Sequence, residues 1–411
     1  MFDEVLDLKF DEILYGEVEK VLNTKPTVPF SDENSKFLNE ISNEIMILKN
    51  HREYPDLLAF AFWARSSNIN SIRKKYGKEI DNRLGLGTVL HITPSNVPTN
   101  FIYSFAISFL AGNSNIIRVP STAYRQIDLF IEAYKRVASK GLFLKIAESN
   151  CFLRYGKEND TSRIFSKVVD ARVIWGGDKT INLIREMPVL PKAVDISFRN
   201  RYSIAVLSSE YVLSMNQKDL ELEIDKFYND IFLFDQFGCS SPSLLFWVGN
   251  KSQTLIAKKL FENILKSIIK GKDLNIDPMN AMNKITQLCE FILILRDSKY
   301  EIDMDSNSLY IIKINETDYS FIKNLELVPK YGTILELYEN NLRDVISVID
   351  DGCQTVISLG FSGNDILEEI KSTGIKGIDR IVGMGQAFDM STVWDGYDLI
   401  TELSRKIDFL Q

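Results

Sequence analysis

The stretch GTVLHITPSNVPTNFIYSFAISFLAGNSNIIRV (87–119) decides the fold class of this 411-residue chain. It contains a short apolar strand (87–92), a turn bounded by two prolines, an apolar helix over 98–111 and a second strand, NIIRV (115–119). A strand, a helix and a second strand in this order are typical of a βαβ unit with parallel strands. The stretch therefore predicts an α/β fold.

The same alternation continues toward the C-terminus. Strands are predicted at 171–177 and 202–207, and a second series, separated by helices, at 243–248, 309–314, 333–338 and 355–361. We therefore predict two lobes, each with a mostly parallel sheet flanked by helices.

Composition excludes several classes of protein. A net charge of −8 provides no basic field for nucleic acid. The four cysteines show no CxxC spacing, so we expect free thiols and neither a metal site nor a disulfide framework. The apolar run FIYSFAISFLAG (101–112) is about half as long as a membrane span, and the acidic N-terminus does not resemble a signal peptide. We expect a cytoplasmic protein without a membrane span.

Common nucleotide and hydrolase motifs are absent. GLGTVL (85–90) and GMGQAF (383–388) begin as GxG but lack the third glycine of the dinucleotide fingerprint. The chain contains no GxxxxGK[ST], HExxH or GxSxG motif. These absences remove the main support for an NTP-binding protein, a zinc protease or a serine hydrolase.

The segment FDQFGCSSPSLLF (234–246) places Cys239 among small residues in a loop before an apolar strand. One interpretation is a buried structural cysteine, which is the commoner case. The other is a nucleophile, because a thiolate can act without a histidine base and this chain has only two histidines. Of these, His91 is expected to be a packed residue.

Three further segments carry candidate binding residues. In TPSNVPTNF (93–101), Asn96 either caps the helix or points its amide at a developing oxyanion, where such a donor contributes about 3 kcal/mol. Arg118 ends a predicted strand and is either a solvated charge or a ligand for a nucleotide ribose or phosphate. In WGGDKT (175–180), paired glycines form either an ordinary turn or a close approach to a pyrophosphate.

Taken in order, these segments resemble the aldehyde dehydrogenase superfamily. TPSNVP is similar to its PxNxP turn, GNSNIIR to its GN…K segment, WGG to its pyrophosphate turn and FDQFGC to its NQGQxC segment. YGTILELYENNLRDVISVIDDGCQTVISLGFS (331–362) resembles the FGPV segment and the helix and strand after it. The resemblance covers roughly 85–360 and implies an aldehyde-dehydrogenase-like fold. CSSP (239–242) and GIDRIVGMGQAFDMSTVWDG (377–396) are most similar to LuxC-type acyl-CoA reductases, the bioluminescence fatty acid reductase family.

This family resemblance implies NADPH-dependent reduction of a long-chain fatty acyl-CoA, or of an acyl-protein thioester, to the fatty aldehyde. It implies a covalent acyl-cysteine intermediate, with NADH as the alternative hydride donor. An acyl-protein synthetase is the partner that the family suggests, and a homo-oligomer is the expected assembly.

The resemblance also assigns residues and domains. Cys239 carries over as the nucleophile and Asn96 as the oxyanion donor. The implied cofactor contacts are Thr93, Pro94, Ser95, Arg118, Ser121, Gly176 and Gly177. The expected division is a helical segment packing on the cofactor domain (1–84), a nucleotide-binding domain (85–207), a catalytic domain carrying Cys239 (208–376) and a C-terminal segment that returns to the cofactor domain or to an oligomer interface (377–411).

The sequence departs from the oxidising members of the superfamily. Where they carry the glutamate of an ELGGK segment, this chain reads VDISFRN, with Asp195 as the nearest acid. The glutamate before FGPV is replaced as well, since VPKYG has Val328 and Pro329 there. Two alternatives stay open: an aldehyde dehydrogenase that uses Asp195 as base and forms the acid, and a catalytically silent docking subunit of an acyl-transfer complex.

Overall fold

The computed structural model describes residues 4–5, 7–94, 97–156, 160–274, 276–295, 298–315 and 319–409. The chain forms two units. Unit 1 comprises Met1–Arg199 and Met390–Gln411, and unit 2 comprises Asn200–Asp389.

Unit 1 is built on a six-stranded sheet. Its strands are β1 (Glu12–Tyr15), β3 (Thr88–Ile92), β4 (Ser114–Arg118), β5 (Asn150–Arg154), β6 (Ala171–Trp175) and β7 (Val194–Phe198). The spatial order is β1-β5-β4-β3-β6-β7, and every neighbouring pair is parallel except β1 with β5. The chain moves outward from β3 to β5 and then crosses to β6, so the order reverses between β3 and β6. This is the strand order of dinucleotide-binding folds, in which ligands bind at the reversal point.

The helices of unit 1 cover both faces of this sheet. They are α1 (Val18–Leu22), α2 (Asp32–Ile47), α3 (Pro55–Trp63), α4 (Ser66–Tyr76), α5 (Asn100–Leu110), α6 (Arg125–Ala138), α7 (Leu144–Ala147), α8 (Thr161–Ser166), α9 (Asp178–Arg185) and α16 (Leu399–Glu402). Every residue of α5 from Phe101 to Leu110 is buried. A helix that is apolar on all sides can be stable only when it is enclosed by other elements, which explains why the run at 101–112 is a core helix.

Several small elements complete unit 1. They are 3₁₀ helices at His51–Glu53, Gly77–Ile80 and Gly141–Phe143, and the two-stranded sheets β2 (Arg83–Gly85) with β17 (Ser404–Lys406) and β15 (Val393–Trp394) with β16 (Tyr397–Asp398). Because β17 pairs with β2, the C-terminal segment is tied to unit 1.

Unit 2 is built on a seven-stranded sheet. Its strands are β8 (Tyr202–Ser208), β9 (Pro242–Val248), β10 (Tyr300–Ser306), β11 (Leu309–Ile314), β12 (Thr333–Glu339), β13 (Cys353–Leu359) and β14 (Arg380–Gly383). The order is β10-β11-β12-β9-β8-β13-β14, with only β10 antiparallel to its neighbour. Alternate residues of β8 and β9 belong to different core clusters, so both faces of the sheet are covered.

The helices of unit 2 are α10 (Ser209–Ser214), α11 (Gln217–Phe232), α12 (Lys251–Gly271), α13 (Pro278–Ile294), α14 (Leu342–Ser347) and α15 (Gly363–Thr373), with a 3₁₀ helix at Ser320–Leu327. Polar side chains begin them in the expected way. The Ser362 side chain forms a capping box with Asp365 at α15, and the Asn216 side chain accepts a hydrogen bond at α11.

The predicted α/β class with two sheet-bearing lobes is confirmed. The two units differ from the expected division at both ends of unit 2. Strand β8, expected to close the first lobe, pairs with β9 and β13 in the second sheet. Strand β14 extends that same sheet, so the chain returns to unit 1 only after residue 389. Within the described residues, no helix is long and apolar enough to cross a membrane.

Candidate functional site

Cys239 lies in the loop between α11 and β9, at the amino end of β9 and partly exposed. The Ser203 hydroxyl donates a hydrogen bond of 2.7 Å to the Cys239 carbonyl, which ties the loop to the start of β8. Cys151 and Cys353 are buried, and burial raises the pKa of both thiols. Cys289 is exposed on α13. Cys239 is therefore the one cysteine of the chain that combines partial access with a fixed loop.

The Gln236 side chain fastens this loop to the start of β12. Its amide group donates to the Pro242 and Thr333 carbonyls at 2.9 and 2.7 Å, and its oxygen accepts from the Gly332 and Thr333 amides at 3.0 and 2.9 Å. A buried carboxamide with two donors and two acceptor positions is thereby fully satisfied. To make these contacts, Gln236 adopts a left-handed backbone conformation with φ +66°, which is uncommon for a residue other than glycine. The clamp fixes the backbone three residues before the sulfur.

Aromatic and backbone contacts reinforce the clamp. The Phe237 ring meets the Tyr331 ring edge-on, with centroids 5.1 Å apart, and the Tyr331 amide donates to the Asp235 carbonyl at 3.0 Å. Burial raises the pKa of the Asp235 carboxyl. The loops before β9 and β12 are therefore held together as one structural group.

Lys284 on α13 binds the turn that precedes β12. Its buried amine donates to the carbonyls of Asn307 and Tyr331 at 2.8 Å each and to that of Gly332 at 3.3 Å. It also lies 3.9 Å from the centroid of the Tyr310 ring, a cation–π distance. Burial lowers the pKa of Lys284 to about 7. This lysine is an internal brace, because its partners are main-chain carbonyls.

Lys330 precedes Tyr331, whose carbonyl accepts from Lys284, and it interacts electrostatically with Cys239. It is partly exposed, its amide donates to the Gln287 side chain at 3.2 Å, and it precedes β12. Burial lowers the pKa of its amine to about 8, while the charge of Cys239 raises it. A lysine and a candidate nucleophilic thiol therefore share one electrostatic environment.

The opposite side of the Cys239 loop is packed by the segment 383–389. Asp230, almost fully buried, accepts from the Gly385 and Ala387 amides at 2.7 and 3.0 Å. Burial raises the pKa of the Asp230 carboxyl to about 7. The segment then places Phe388 so close to Gly238 that a Cβ there would lie 2.4 Å from the ring. Gly238 is needed for space, since its backbone is not left-handed.

The predicted cofactor residues that the structure describes lie at the carboxyl edge of the unit 1 sheet. Ile92 of β3 is in register with Arg118 of β4 and with Ile174 of β6, so these strands end together. The Thr93 hydroxyl donates to the Arg118 carbonyl at 2.8 Å. Gly177 begins α9 without a side-chain cap.

Within this group, the described contacts range from buried Thr93 to exposed Ser121. The Arg118 guanidinium lies 5.1 Å from the Tyr155 ring centroid and donates to the Tyr155 carbonyl at 3.2 Å. Pro94 and Gly176 are partly exposed, and Ser121 is exposed. The predicted contact Ser95 and the predicted oxyanion donor Asn96 lie outside the described residues.

Asp195 has a structural partner. It forms a two-point ion pair with Arg172, its register neighbour on β6, at 2.7 and 2.5 Å. The Arg172 side chain is 1% exposed and also donates to Ser166 and to the Ile184 carbonyl. Because this ion pair occupies both carboxylate oxygens, it argues against the alternative in which Asp195 activates water. The catalytic role of Asp195 stays a prediction.

His91 is completely buried between Ser104 and Asn115, at 2.7 and 3.0 Å, and burial lowers its pKa to about 4. It is a neutral core residue, as expected. Among the described residues, no group of three or more His, Cys, Asp and Glu side chains is placed to hold a metal ion.

Four residues of the site were missed by sequence reasoning: Asp230, Gln236, Lys284 and Lys330. Lys284 and Asp230 sit inside helices, where a charged side chain is ordinarily solvated, so their sequence contexts give no signal. Gln236 and Lys330 do lie beside motifs, and each precedes a predicted apolar strand by a few positions. Their positions beside these motifs were the signal in the sequence that could have identified them.

Comparison with known proteins identifies the family and the fold. The acyl-CoA reductase (LuxC) family model matches residues 27–406. A search of the curated proteins finds no match.

Solved structures share the fold at low identity. They include a lactaldehyde dehydrogenase (12% identity, 91% of this chain and 85% of that chain, TM-score 0.62). An aldehyde dehydrogenase variant from Bacillus cereus (11%, 94% and 86%, TM-score 0.59) is a second example. A third is a glyceraldehyde-3-phosphate dehydrogenase from Methanocaldococcus jannaschii, solved in complex with NADP (15%, 91% and 88%, TM-score 0.58). The predicted aldehyde-dehydrogenase-like fold is confirmed.

The chain belongs to the LuxC acyl-CoA reductase family, and it has the fold of the aldehyde dehydrogenases. The family membership identifies it as an oxidoreductase.

Proposed function

From this family membership, we propose that the protein reduces a long-chain fatty acyl thioester to the fatty aldehyde with NADPH. The acyl donor is acyl-CoA or an acyl group on a partner acyl-protein synthetase. The observation that carries the proposal is the Cys239 loop. Cys239 is partly exposed, the Gln236 side chain holds its loop, and its charge acts on Lys330.

The residues at the carboxyl edge of the unit 1 sheet fit a nicotinamide dinucleotide. They lie where the strand order reverses, and the first turn of α9 carries backbone N–H groups that Gly177 does not cap. The Arg118 guanidinium suits a 2′-phosphate, which favours NADPH over NADH. The NADP complex of the archaeal glyceraldehyde-3-phosphate dehydrogenase supports the same choice. When bound, the nicotinamide supplies a hydride to the acyl carbon.

Cys239 performs the covalent steps in this proposal. Its thiolate forms a bond to the thioester carbonyl carbon, and the bond from that carbon to the sulfur of CoA breaks, with CoA leaving as a thiolate. After reduction, the carbon–sulfur bond to Cys239 breaks, the aldehyde leaves and the thiolate is restored. Both leaving groups are thiolates, so neither step needs a histidine as acid.

The negative charge that develops on the acyl oxygen requires a donor. The Asn96 amide is our proposed donor, together with the Cys239 backbone N–H. Removing a donor of this kind costs about 3 kcal/mol of transition-state stabilisation.

Intact-mass analysis tests this function directly. The protein is incubated with acyl-CoAs of graded length, and Cys239→Ser is compared with Cys289→Ser, which removes an exposed thiol. We expect an acyl adduct on the wild type and on Cys289→Ser but none on Cys239→Ser. Adding NADPH should discharge the adduct as aldehyde. Equal labelling of Cys239→Ser and the wild type, or release of free acid only, would contradict the proposal.

A further inference from the structure

Lys330 and Cys239 occupy equivalent places before two neighbouring strands. β12 and β9 are adjacent and parallel, with Leu335 opposite Leu244. The sequence numbers of that pair differ by 91, and so do those of Lys330 and Cys239. Each residue precedes the first residue of its strand by three positions. Since both strands start at the same edge of the sheet, the loops that carry the lysine and the cysteine are neighbours there.

The contacts around the two loops keep them there. The Gln236 side chain, three residues before Cys239, donates to the Thr333 carbonyl and accepts from the Thr333 amide. Thr333 lies three residues after Lys330. Tyr331, the residue after Lys330, packs on Phe237 and donates its amide to the Asp235 carbonyl. These contacts join the segment before Cys239 to the segment around Lys330.

The amine of Lys330 has an unusual environment. Within the described part of the chain it forms no hydrogen bond or ion pair, although buried or half-buried ammonium groups are normally paired. Lys284, by contrast, donates to three carbonyls. The Lys330 amine is therefore not committed to a structural contact and is available to act on the Cys239 thiol, whose charge raises the pKa of that amine.

Four other titratable groups belong to the elements packed here. Asp235 lies on the Cys239 loop, Tyr331 follows Lys330, and Asp277 and Lys284 lie at the start and in the middle of α13. Burial raises the pKa of Asp235 and of Tyr331. Within the described residues, Cys239 is the group whose charge shifts the pKa of Lys330 upward. By reciprocity, a protonated Lys330 favours the thiolate of Cys239.

We propose that Lys330 is the electrostatic partner of Cys239 and keeps its thiol ionised near neutral pH, in place of the histidine that many cysteine enzymes use. It acts through the cysteine and is therefore a positioning residue. The inference rests on the proposed function only in taking Cys239 as the nucleophile. The proton released by the thiol goes to solvent, since the ammonium already carries its own.

The test is the pH dependence of alkylation by iodoacetamide in the full-length protein, read by peptide mass at each cysteine. Lys330→Gln removes the charge, Lys330→Arg keeps it, and Lys323→Gln changes an exposed lysine of the same unit. Exposed Cys289 is an internal reference in every sample. No acyl-CoA is present, so the measurement reports the thiol alone.

We expect Lys330→Gln to shift the midpoint of the Cys239 pH profile upward by about one unit, from near 7, and therefore to alkylate Cys239 about fivefold more slowly at pH 7. The alkylation profiles of Lys330→Gln and the wild type should converge at high pH, where Cys239 is ionised in both proteins. Lys330→Arg, Lys323→Gln and the reaction at Cys289 should stay close to the wild type. Lys330→Met should unfold at the same temperature or higher, which excludes a merely structural role. If Lys330→Gln fails to fold, Lys330→Met carries the same alkylation measurement.

An unchanged Cys239 profile in the Lys330→Gln and Lys330→Met variants would overturn the inference. The acylation experiment separates this failure from failure of the proposed function. Acyl label on Cys239 with a Lys330-independent profile rejects the role of Lys330 alone. A Lys330-dependent profile without any acyl label rejects the proposed function alone.

Discussion

At the scale of single residues, the Cys239 loop depends on small side chains and on shared hydrogen bonds. Gly238 leaves room for Phe388, and Gln236 satisfies four backbone groups that would otherwise be buried without partners. An unsatisfied buried group costs about 1–3 kcal/mol, so Gln236 is more constrained than its surface neighbours.

Gly238→Ala should slow acylation of Cys239 by at least about tenfold, because the new methyl would lie 2.4 Å from the Phe388 ring and one of the two segments must shift. The rate of adduct formation by mass spectrometry measures this. Phe388→Leu in the same chain removes the ring and should restore part of the rate. If Gly238→Ala alone reacts at the wild-type rate, the packing between these segments does not position the thiol.

Asp195→Ala should lower the free energy of unfolding by about 3–5 kcal/mol, because it leaves the buried Arg172 guanidinium without its carboxylate. Asp195→Asn keeps the shape and should cost less. If the ion pair is purely structural, the acyl-enzyme of the Asp195→Asn variant will be hydrolysed to free acid at the same rate as that of the wild type. A large fall in that rate, with stability retained, would restore Asp195 as a base.

At the scale of elements, α13 is more than a cover for the sheet. The buried Lys284 side chain donates to the carbonyls of Tyr331 and Gly332. The turn formed by these residues follows Lys330 and contacts the Cys239 loop through the Tyr331 ring. A helix thus supports two loops at the amino ends of β9 and β12 through one side chain.

Burial lowers the pKa of Lys284 to about 7, below that of a lysine in the unfolded chain at about 10.4. Between these values the unfolded state binds more protons, so this group makes stability rise with pH, by at most about 1.4 kcal/mol per unit. Below pH 7 its contribution is constant. Urea unfolding of the wild type should therefore show a steeper rise from pH 7 to 9 than unfolding of Lys284→Met. Parallel curves would mean that Lys284 titrates normally.

At the scale of the whole molecule, the two sheets divide the proposed chemistry. The described members of the predicted cofactor set lie on unit 1, at the carboxyl ends of its strands, whereas Cys239 lies on unit 2, at the amino end of β9. Binding and thiol chemistry should therefore respond to different substitutions.

Arg118→Gln should weaken NADPH binding about tenfold, the equivalent of about 1.4 kcal/mol, while leaving acyl loading of Cys239 unchanged. Arg125→Gln is the matched control, since Arg125 is exposed and paired with Asp128 on α6. Fluorescence titration with NADPH and intact-mass analysis measure the two effects separately. Equal NADPH affinity in Arg118→Gln and the control would remove Arg118 from the cofactor site.

The local pattern of the sequence was sufficient for much of this description. The βαβ stretch at 87–119 became β3, α5 and β4 with ends within two residues of the prediction at α5, because apolar periodicity reflects which faces are buried. The loop context of Cys239 was also visible, since small residues around a cysteine stand out locally. The assignment of β8 to a sheet was not visible, because its apolar run would fit either core.

By itself, the sequence determined the fold class, the family and the cysteine that we propose as nucleophile, because these depend on local periodicity and on motifs in a fixed order. Only the tertiary structure decided that the loops of Lys330 and Cys239 are neighbours, that Lys284 and Asp230 bind the surrounding loops and that Arg172 pairs with Asp195. Such pairings depend on strand register and on burial, which join residues far apart in the chain and leave no trace in the spacing of either partner.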